Sequence, residues 1–225
     1  MMRNVPRVLA VALPLIFVAA CASAARSPTR ENVEPASGRT VLTPAEQARA
    51  DSGRPPYTEA DVQFMTGMIG HHAQAVLMAG WAPTHGASQS VRILAERILV
   101  AQQDEIAFAQ RWLRERGKPV PPADASHHAM PGMSHGPLAP GMLTADQLAQ
   151  LDRARGAEFD RLFLTFMIQH HNGAITMVDR LFGSQGAAQD DDIFKFASDV
   201  YADQTTEIDR MNSMLRAQSS VKQTP

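Results

Sequence analysis

Residues 61–79 read DVQFMTGMIGHHAQAVLMA, and 99 residues further on residues 160–178 read DRLFLTFMIQHHNGAITMV. Asp61 matches Asp160, Phe64 matches Phe163, Thr66 matches Thr165 and Met68 matches Met167. Ile69 matches Ile168, His71 matches His170, His72 matches His171 and Met78 matches Met177. Two copies of one pattern predict two copies of one structural unit. On a helical wheel of about 100° per residue, Met68 sits at the centre of an apolar stripe. Asp61, Met65, His72, Val76 and Ala79 fall on one flank of it, and Phe64, His71, Ala75 and Met78 on the other. Thr66, Gly70, Ala73, Gln74 and Leu77 take the opposite face. The second copy gives the same wheel, with Met167 between His170 and His171.

Working outward, the rest of the chain follows the same plan. Thr58 and Asp61 start a first helix that Pro83 and Gly86 stop. A second helix is predicted from Ser88 to about Arg116, closed by Gly117 and Pro119. Residues 117–143 form a Pro-, Gly-, His- and Met-rich connector. Thr144 with Gln147 is a capping box that opens a third helix, predicted to run unbroken to about Phe182. After a turn over Gly183 to Gln189, a fourth helix reaches about Ala217, leaving 218–225 as a tail. Helices two and four also repeat. Ile98-x3-Gln102-x2-Glu105-Ile106 matches Val200-x3-Gln204-x2-Glu207-Ile208. Each repeat is therefore a helical hairpin, 57–116 and 144–217, and the pair predicts an all-α four-helix bundle over 57–217. No segment carries sustained strand alternation.

The first residues read as an export signal. Arg3 and Arg7 supply the charge, and Val8 to Ala20 an apolar run too short for a confident membrane span. The run ends in Val18-Ala19-Ala20-Cys21, which resembles a bacterial lipobox, with 1–21 as signal segment and Cys21 as the lipidated residue. Cys21 is the one cysteine of the chain, so no internal disulfide is available. Ala22 after the cysteine fits outer-membrane sorting, and cleavage after Ala22-Ser23-Ala24 would instead release a soluble periplasmic protein. Residues 22–56, rich in Ser, Pro, Arg and Glu, read as a tether. The predicted membrane partner is thus a lipid anchor. A net charge of −2 over 225 residues gives no reason to expect nucleic acid. Oligomeric state is not encoded in these patterns.

Both His-His helices, both Gln-x-x-Glu-Ile helices and the Met-Pro-Gly-Met and Met-Leu-Thr elements around the connector resemble the family called domain of unknown function 305. The likeness covers about residues 57–217 and implies a ferritin-like, exported bacterial protein, in some members linked to copper binding and copper tolerance. It places the family's common motifs on Met68, His71, His72, Met78, Met167, His170, His171 and Met177. Met65 is replaced by Leu164 in the second repeat, so the two halves need not bind equally.

Copper fits the donor types. Cu(I) prefers thioether and imidazole and Cu(II) imidazole, whereas thiolates oxidise outside the cytoplasm. Twelve methionines occur in the chain, most of them near histidine. The connector adds His127, His128, Met130, Met133 and His135, a second and weaker candidate copper set that loses conformational entropy on wrapping an ion. Asp61, Glu105, Asp160 and Glu207 are candidate hydrogen-bond partners of the imidazoles. Three functions compete. The first is a copper binder that buffers, transfers or confers tolerance. The second is a di-metal oxidase, although such sites use Glu-x-x-His motifs and this chain has none. The third is a helical module for a partner protein, in which the Met stripe is simply core.

Overall fold

The computed structural model describes residues 56–123 and 138–221, together with Thr43, Arg49, Ser52 and Gly53. The signal segment, Cys21, nearly all of the tether and the connector set His127, His128, Met130, Met133 and His135 lie outside the described residues. The described part is all-helical, with no strand among the described residues. Its five helices are α1 (Glu59–Gly80), α2 (Gln89–Glu115), α3 (Ala145–Arg153), α4 (Gly156–Phe182) and α5 (Asp191–Val221).

Local chemistry sets the helix starts. Thr58 and Asp61 form a capping box at α1, with the Asp61 carboxylate accepting from the Thr58 amide at 2.7 Å. Thr144 and Gln147 do the same at α3. The Ser88 hydroxyl accepts from the Val91 amide at the start of α2. Each such cap satisfies amides that have no partner within the helix, worth about 1 kcal/mol apiece. At the end of α2, Gly117 adopts φ +64° and the Lys118 amide returns to the Leu113 carbonyl at 2.9 Å.

The predicted single third helix is broken in two. Ala154 and Arg155 are extended, and Gly156 has φ +59°. What holds the break is His85, in the loop between α1 and α2. Its backbone carbonyl accepts from the Gly156 amide at 2.9 Å, and its Nε2 meets the Asp152 carbonyl at 2.9 Å. The ring is buried against Trp81 and Phe159. Tertiary hydrogen bonds here replace intrahelical ones. The helix period runs through Arg153-Ala154-Arg155 in the sequence and gives no warning beyond Gly156. At the other end, α5 continues to Val221, past the predicted stop at Ala217.

The buried apolar residues fall into two clusters. One joins the first half of α1 (Val62 to Ala73) with the second half of α2 (Ile106 to Leu113), the second half of α4 (Ala174 to Leu181) and the start of α5 (Ile193 to Val200). The other joins the remaining halves: Ala75 to Ala82, Val91 to Ile98, Phe159 to Met167, Met211 and residues of α3. Each of the four long helices, α1, α2, α4 and α5, therefore changes cluster once, near its middle. This arrangement makes α1 antiparallel to α2, α4 antiparallel to α5, and α1 antiparallel to α4. Helix α2 reaches α5 through Phe108 stacked on Phe196, centroids 5.0 Å apart. The residues at the four crossover points are His71, His72 and Gln74 in α1, Gln102 and Glu105 in α2, His170 and His171 in α4, and Gln204 and Glu207 in α5. A polar layer thus lies across the molecule between two apolar halves.

Candidate metal centre

The layer has histidine at its heart. His71, His72, His170 and His171 are all fully buried. His71 and His170 face each other from α1 and α4, with ring centroids 3.8 Å apart and planes tilted by 37°. His72 lies 6.1 Å from His71, and His171 lies 6.3 Å from His170. The four rings follow one another in a row, His72, His71, His170, His171.

The outer rings meet carboxylates. His171 Nε2 is hydrogen-bonded to Glu207 of α5 at 2.7 Å. His72 Nε2 stands 2.9 Å from Glu105 of α2, an ion-pair distance without hydrogen-bond alignment. Glu105 and Glu207 are two of the four acids named from the sequence as candidate partners of the imidazoles. Asp61 and Asp160 behave differently from expectation. The Asp61 carboxylate accepts from Thr58 and, at 2.7 Å, from the Ala188 amide in the turn before α5. The Asp160 carboxylate accepts from the Ser88 amide at 3.1 Å. Each aspartate of one hairpin therefore caps the turn of the other, and its hydrogen bonds go to backbone amides and, for Asp61, the Thr58 hydroxyl, and not to an imidazole. The i to i+10 separation from the histidines along a helix, nearly three turns or about 15 Å, is the physical reason.

Burial controls the charge of the inner pair. Loss of solvation, reinforced by the neighbouring His72 and His171, lowers the His71 pKa to about 3 against the pull of its Pro140 hydrogen bond. The His170 pKa falls well below the usual imidazole range, first through burial and then through the other three rings. Both imidazoles are neutral at physiological pH, and a neutral imidazole carries the lone pair a metal needs.

The donor inventory tests whether a metal fits. Each of the four rings leaves at least one nitrogen without a hydrogen-bond partner in the protein: His71 Nδ1, His72 Nδ1, His171 Nδ1 and a ring nitrogen of His170. Gln102 lacks partners for both amide atoms, and Gln204 for its oxygen. A buried polar group left without a partner costs about 1–3 kcal/mol, so such a concentration in one layer is strongly unfavourable unless something binds there. No group of three or more His, Cys, Asp or Glu among the described residues is by itself arranged to hold an ion. An ion held in this layer would need a donor of another kind, and thioether sulfur is at hand. Met68 and Met167 are fully buried one turn from the histidines, Met68 in the first apolar cluster and Met167 in the second. They bracket the row from opposite sides. Met65 and Met78 are also fully buried, whereas Met177 is half-buried against a surface pocket of about 240 Å³. Imidazole nitrogen with thioether sulfur is a donor set for a soft ion.

The structure adds residues that the sequence pattern missed. Gln74, assigned by the wheel to the outward face, is fully buried. Its amide group accepts from the Leu143 amide at 2.7 Å and donates to the Leu143 carbonyl at 3.1 Å. The end of the connector crosses α1 here, and the Pro140 carbonyl reaches His71 Nε2 at 3.1 Å. The two glycines at Gly141 and Gly173, which a close approach of backbones would require, are the signal that was available.

The described residues thus form a set of helices around a buried imidazole layer with thioethers nearby. The family model for the domain of unknown function DUF305 matches residues 61–215, and the chain belongs to that family. A DUF305 fragment from Deinococcus radiodurans is similar in structure, with 27% identity, a TM-score of 0.60, and coverage of 72% of this chain and 99% of that one. CopM in its Cu(II)-bound form is similar at 26% identity and a TM-score of 0.56, covering 70% of this chain and 96% of CopM. CopM also has a silver-bound form, 26% identical to this chain at a TM-score of 0.53. Among curated proteins, the uncharacterized protein L153 of Acanthamoeba polyphaga mimivirus is 36% identical over 56 residues, which span 25% of this chain and 37% of L153.

Proposed function

We propose that this protein is an exported copper-binding protein that holds Cu(I), with access to Cu(II), at the histidine layer of a ferritin-like four-helix bundle. The four long helices α1, α2, α4 and α5 would be the bundle, and α3 an addition at the start of the second hairpin. The observation that carries the reading is the set of buried ring nitrogens without a partner, at least one on each of the four histidines, with Met68 and Met167 buried one turn away. Copper- and silver-bound CopM supports it, since Ag(I) is a soft ion with the same ligand taste as Cu(I). His71, His72, His170 and His171 with Met68 and Met167 form the tight site in this reading. Met78 and Met177 stand further along the same helices, as a route for the ion. The set His127, His128, Met130, Met133 and His135 is a weaker, faster-exchanging site, and Cys21 anchors the protein to a membrane facing the periplasm. The role is buffering, transfer or tolerance, without catalysis. A di-metal oxidase is disfavoured because Asp61 and Asp160 are committed to turns and the sequence holds no Glu-x-x-His motif.

Anaerobic Cu(I) titration against a competing chelator tests the assignment. Alanine at all four helical histidines removes the tight phase and leaves the weak one. Deletion of residues 126–136 does the reverse. A tight phase that survives the first variant and disappears in the second shows that the helical histidines are core residues.

A further inference from the structure

The end of the connector is fastened to the histidine layer by contacts that serve no helix. Pro140 to Leu143 lie across α1 and α4. Gln74 grips Leu143 through both backbone atoms, at 2.7 and 3.1 Å. On the α4 side, Gln169 donates to the Gly141 carbonyl at 3.2 Å and is itself held by Gln147 at 3.1 Å. Gly141 has φ +75°, and any Cβ on Gly173 would overlap the Pro140 carbonyl oxygen. This strap is seated by shape as well as by hydrogen bonds, and where it is seated the Pro140 carbonyl meets His71 Nε2 at 3.1 Å.

A carbonyl oxygen can only accept, so Nε2 must carry the hydrogen. A neutral imidazole has one N–H, which leaves Nδ1 with a bare lone pair. His71 Nδ1 is buried and has no partner. Fixing one ring nitrogen by a hydrogen bond and freeing the other is how proteins orient a metal-ligating histidine.

We propose that Gln74 is a positioning residue for His71: by clamping Leu143 it seats the Pro140 carbonyl on Nε2, holds the Nε2–H tautomer, and presents Nδ1 as the ligand atom for a soft metal ion. The tautomer half stands on the hydrogen bonds and on the full burial of the ring, and the ligand half rests on the copper reading above. Gln74 differs in this from Glu105 and Glu207, which touch their histidines directly. It acts through four residues of strap, at a position with no counterpart in the second repeat, where Gly173 stands.

Long-range proton–nitrogen correlation spectra of the ¹⁵N-labelled, metal-free protein read the tautomer of each ring. His71 is expected to show a protonated Nε2 and a bare Nδ1. Gln74→Leu removes the clamp, and Gly173→Ala displaces the strap while leaving every histidine and Gln74 in place. Either change is expected to convert His71 to a tautomer mixture and to weaken Cu(I) binding about 10- to 100-fold. Cu(I) added to the wild type should shift Nδ1 and spare Nε2. A bare Nε2 in the metal-free wild type overturns the proposal, even if both variants fail to fold. So does a pure Nε2–H tautomer in both folded variants, which would show that the strap does not set it. A shift of Nε2 on adding Cu(I) overturns the ligand half. If Cu(I) binds but shifts neither nitrogen, the ligand half alone falls; if Cu(I) does not bind at all, it falls together with the copper reading, and in both cases the positioning role of Gln74 stands.

Discussion

His71 and His170 meet ring to ring in a space closed to water, and their chemistry follows from that placement. Protonation of either would put a charge in an apolar interior, so both stay neutral and available as donors. Methionine supplies what no other buried residue in the layer supplies, a soft donor that does not titrate. We therefore expect Met68→Leu combined with Met167→Leu to weaken Cu(I) binding at least tenfold while leaving Cu(II) binding nearly unchanged. Leucine preserves volume, so the cost in stability should stay below about 1.5 kcal/mol for each substitution. Parallel titrations with the two oxidation states check this. Equal loss for both ions would remove the sulfurs from the coordination sphere.

At the scale of elements, the two hairpins hold each other by their turns. Asp61 of α1 receives the Ala188 amide, and Asp160 of α4 receives the Ser88 amide. The aspartates are buried, and their amide partners would be left without an acceptor if they were removed. Asp61→Ala and Asp160→Ala should each destabilise the metal-free protein by about 1–3 kcal/mol. Their effect on Cu(I) affinity should be small, because neither carboxylate bonds to an imidazole. Urea denaturation and copper titration of the same variants separate the two effects. A loss of affinity without loss of stability would return the aspartates to the metal site.

At the scale of the whole molecule, the buried neutral histidines make stability depend on pH. An imidazole in the unfolded chain titrates near 6.5, whereas His71 in the folded protein titrates at about 3 and His170 well below 6.5. Below pH 6.5 the unfolded state binds more protons than the folded one. The stabilising contribution is complete above pH 6.5 and is lost as the pH falls toward 3, at up to about 1.4 kcal/mol per pH unit for each histidine. The urea midpoint of the metal-free protein should drop between pH 7.5 and pH 5, where most carboxylates are still ionised. A flat or rising midpoint would show that the rings take up protons without unfolding. The address of the molecule belongs to the same scale. Cys21→Ala should shift the exported protein from the membrane fraction to the soluble fraction or leave it unprocessed, and a wild type found fully soluble after export would refute the anchor.

The repeat of Met-x-x-His-His at 99 residues fixes much of this protein by itself. Period and capping residues specify the helices, because a helix start is a local event: Thr58 with Asp61 and Thr144 with Gln147 stand three residues apart and bond as their spacing predicts. The same period turns the histidines inward and puts Glu105 and Glu207 beside them, since residues on one helix face move together. Other features depend on what happens to lie next to a helix in space. The break at Ala154–Arg155 exists because His85, some 70 residues earlier, offers its carbonyl to Gly156. Gln74 is buried because the strap crosses a face that the wheel leaves open. Asp61 and Asp160 look like ligands' neighbours in sequence and become turn caps in space. Backbone hydrogen bonds between distant segments carry no periodicity, so only the tertiary structure could decide which turn each aspartate would close and which nitrogen of His71 would be left free.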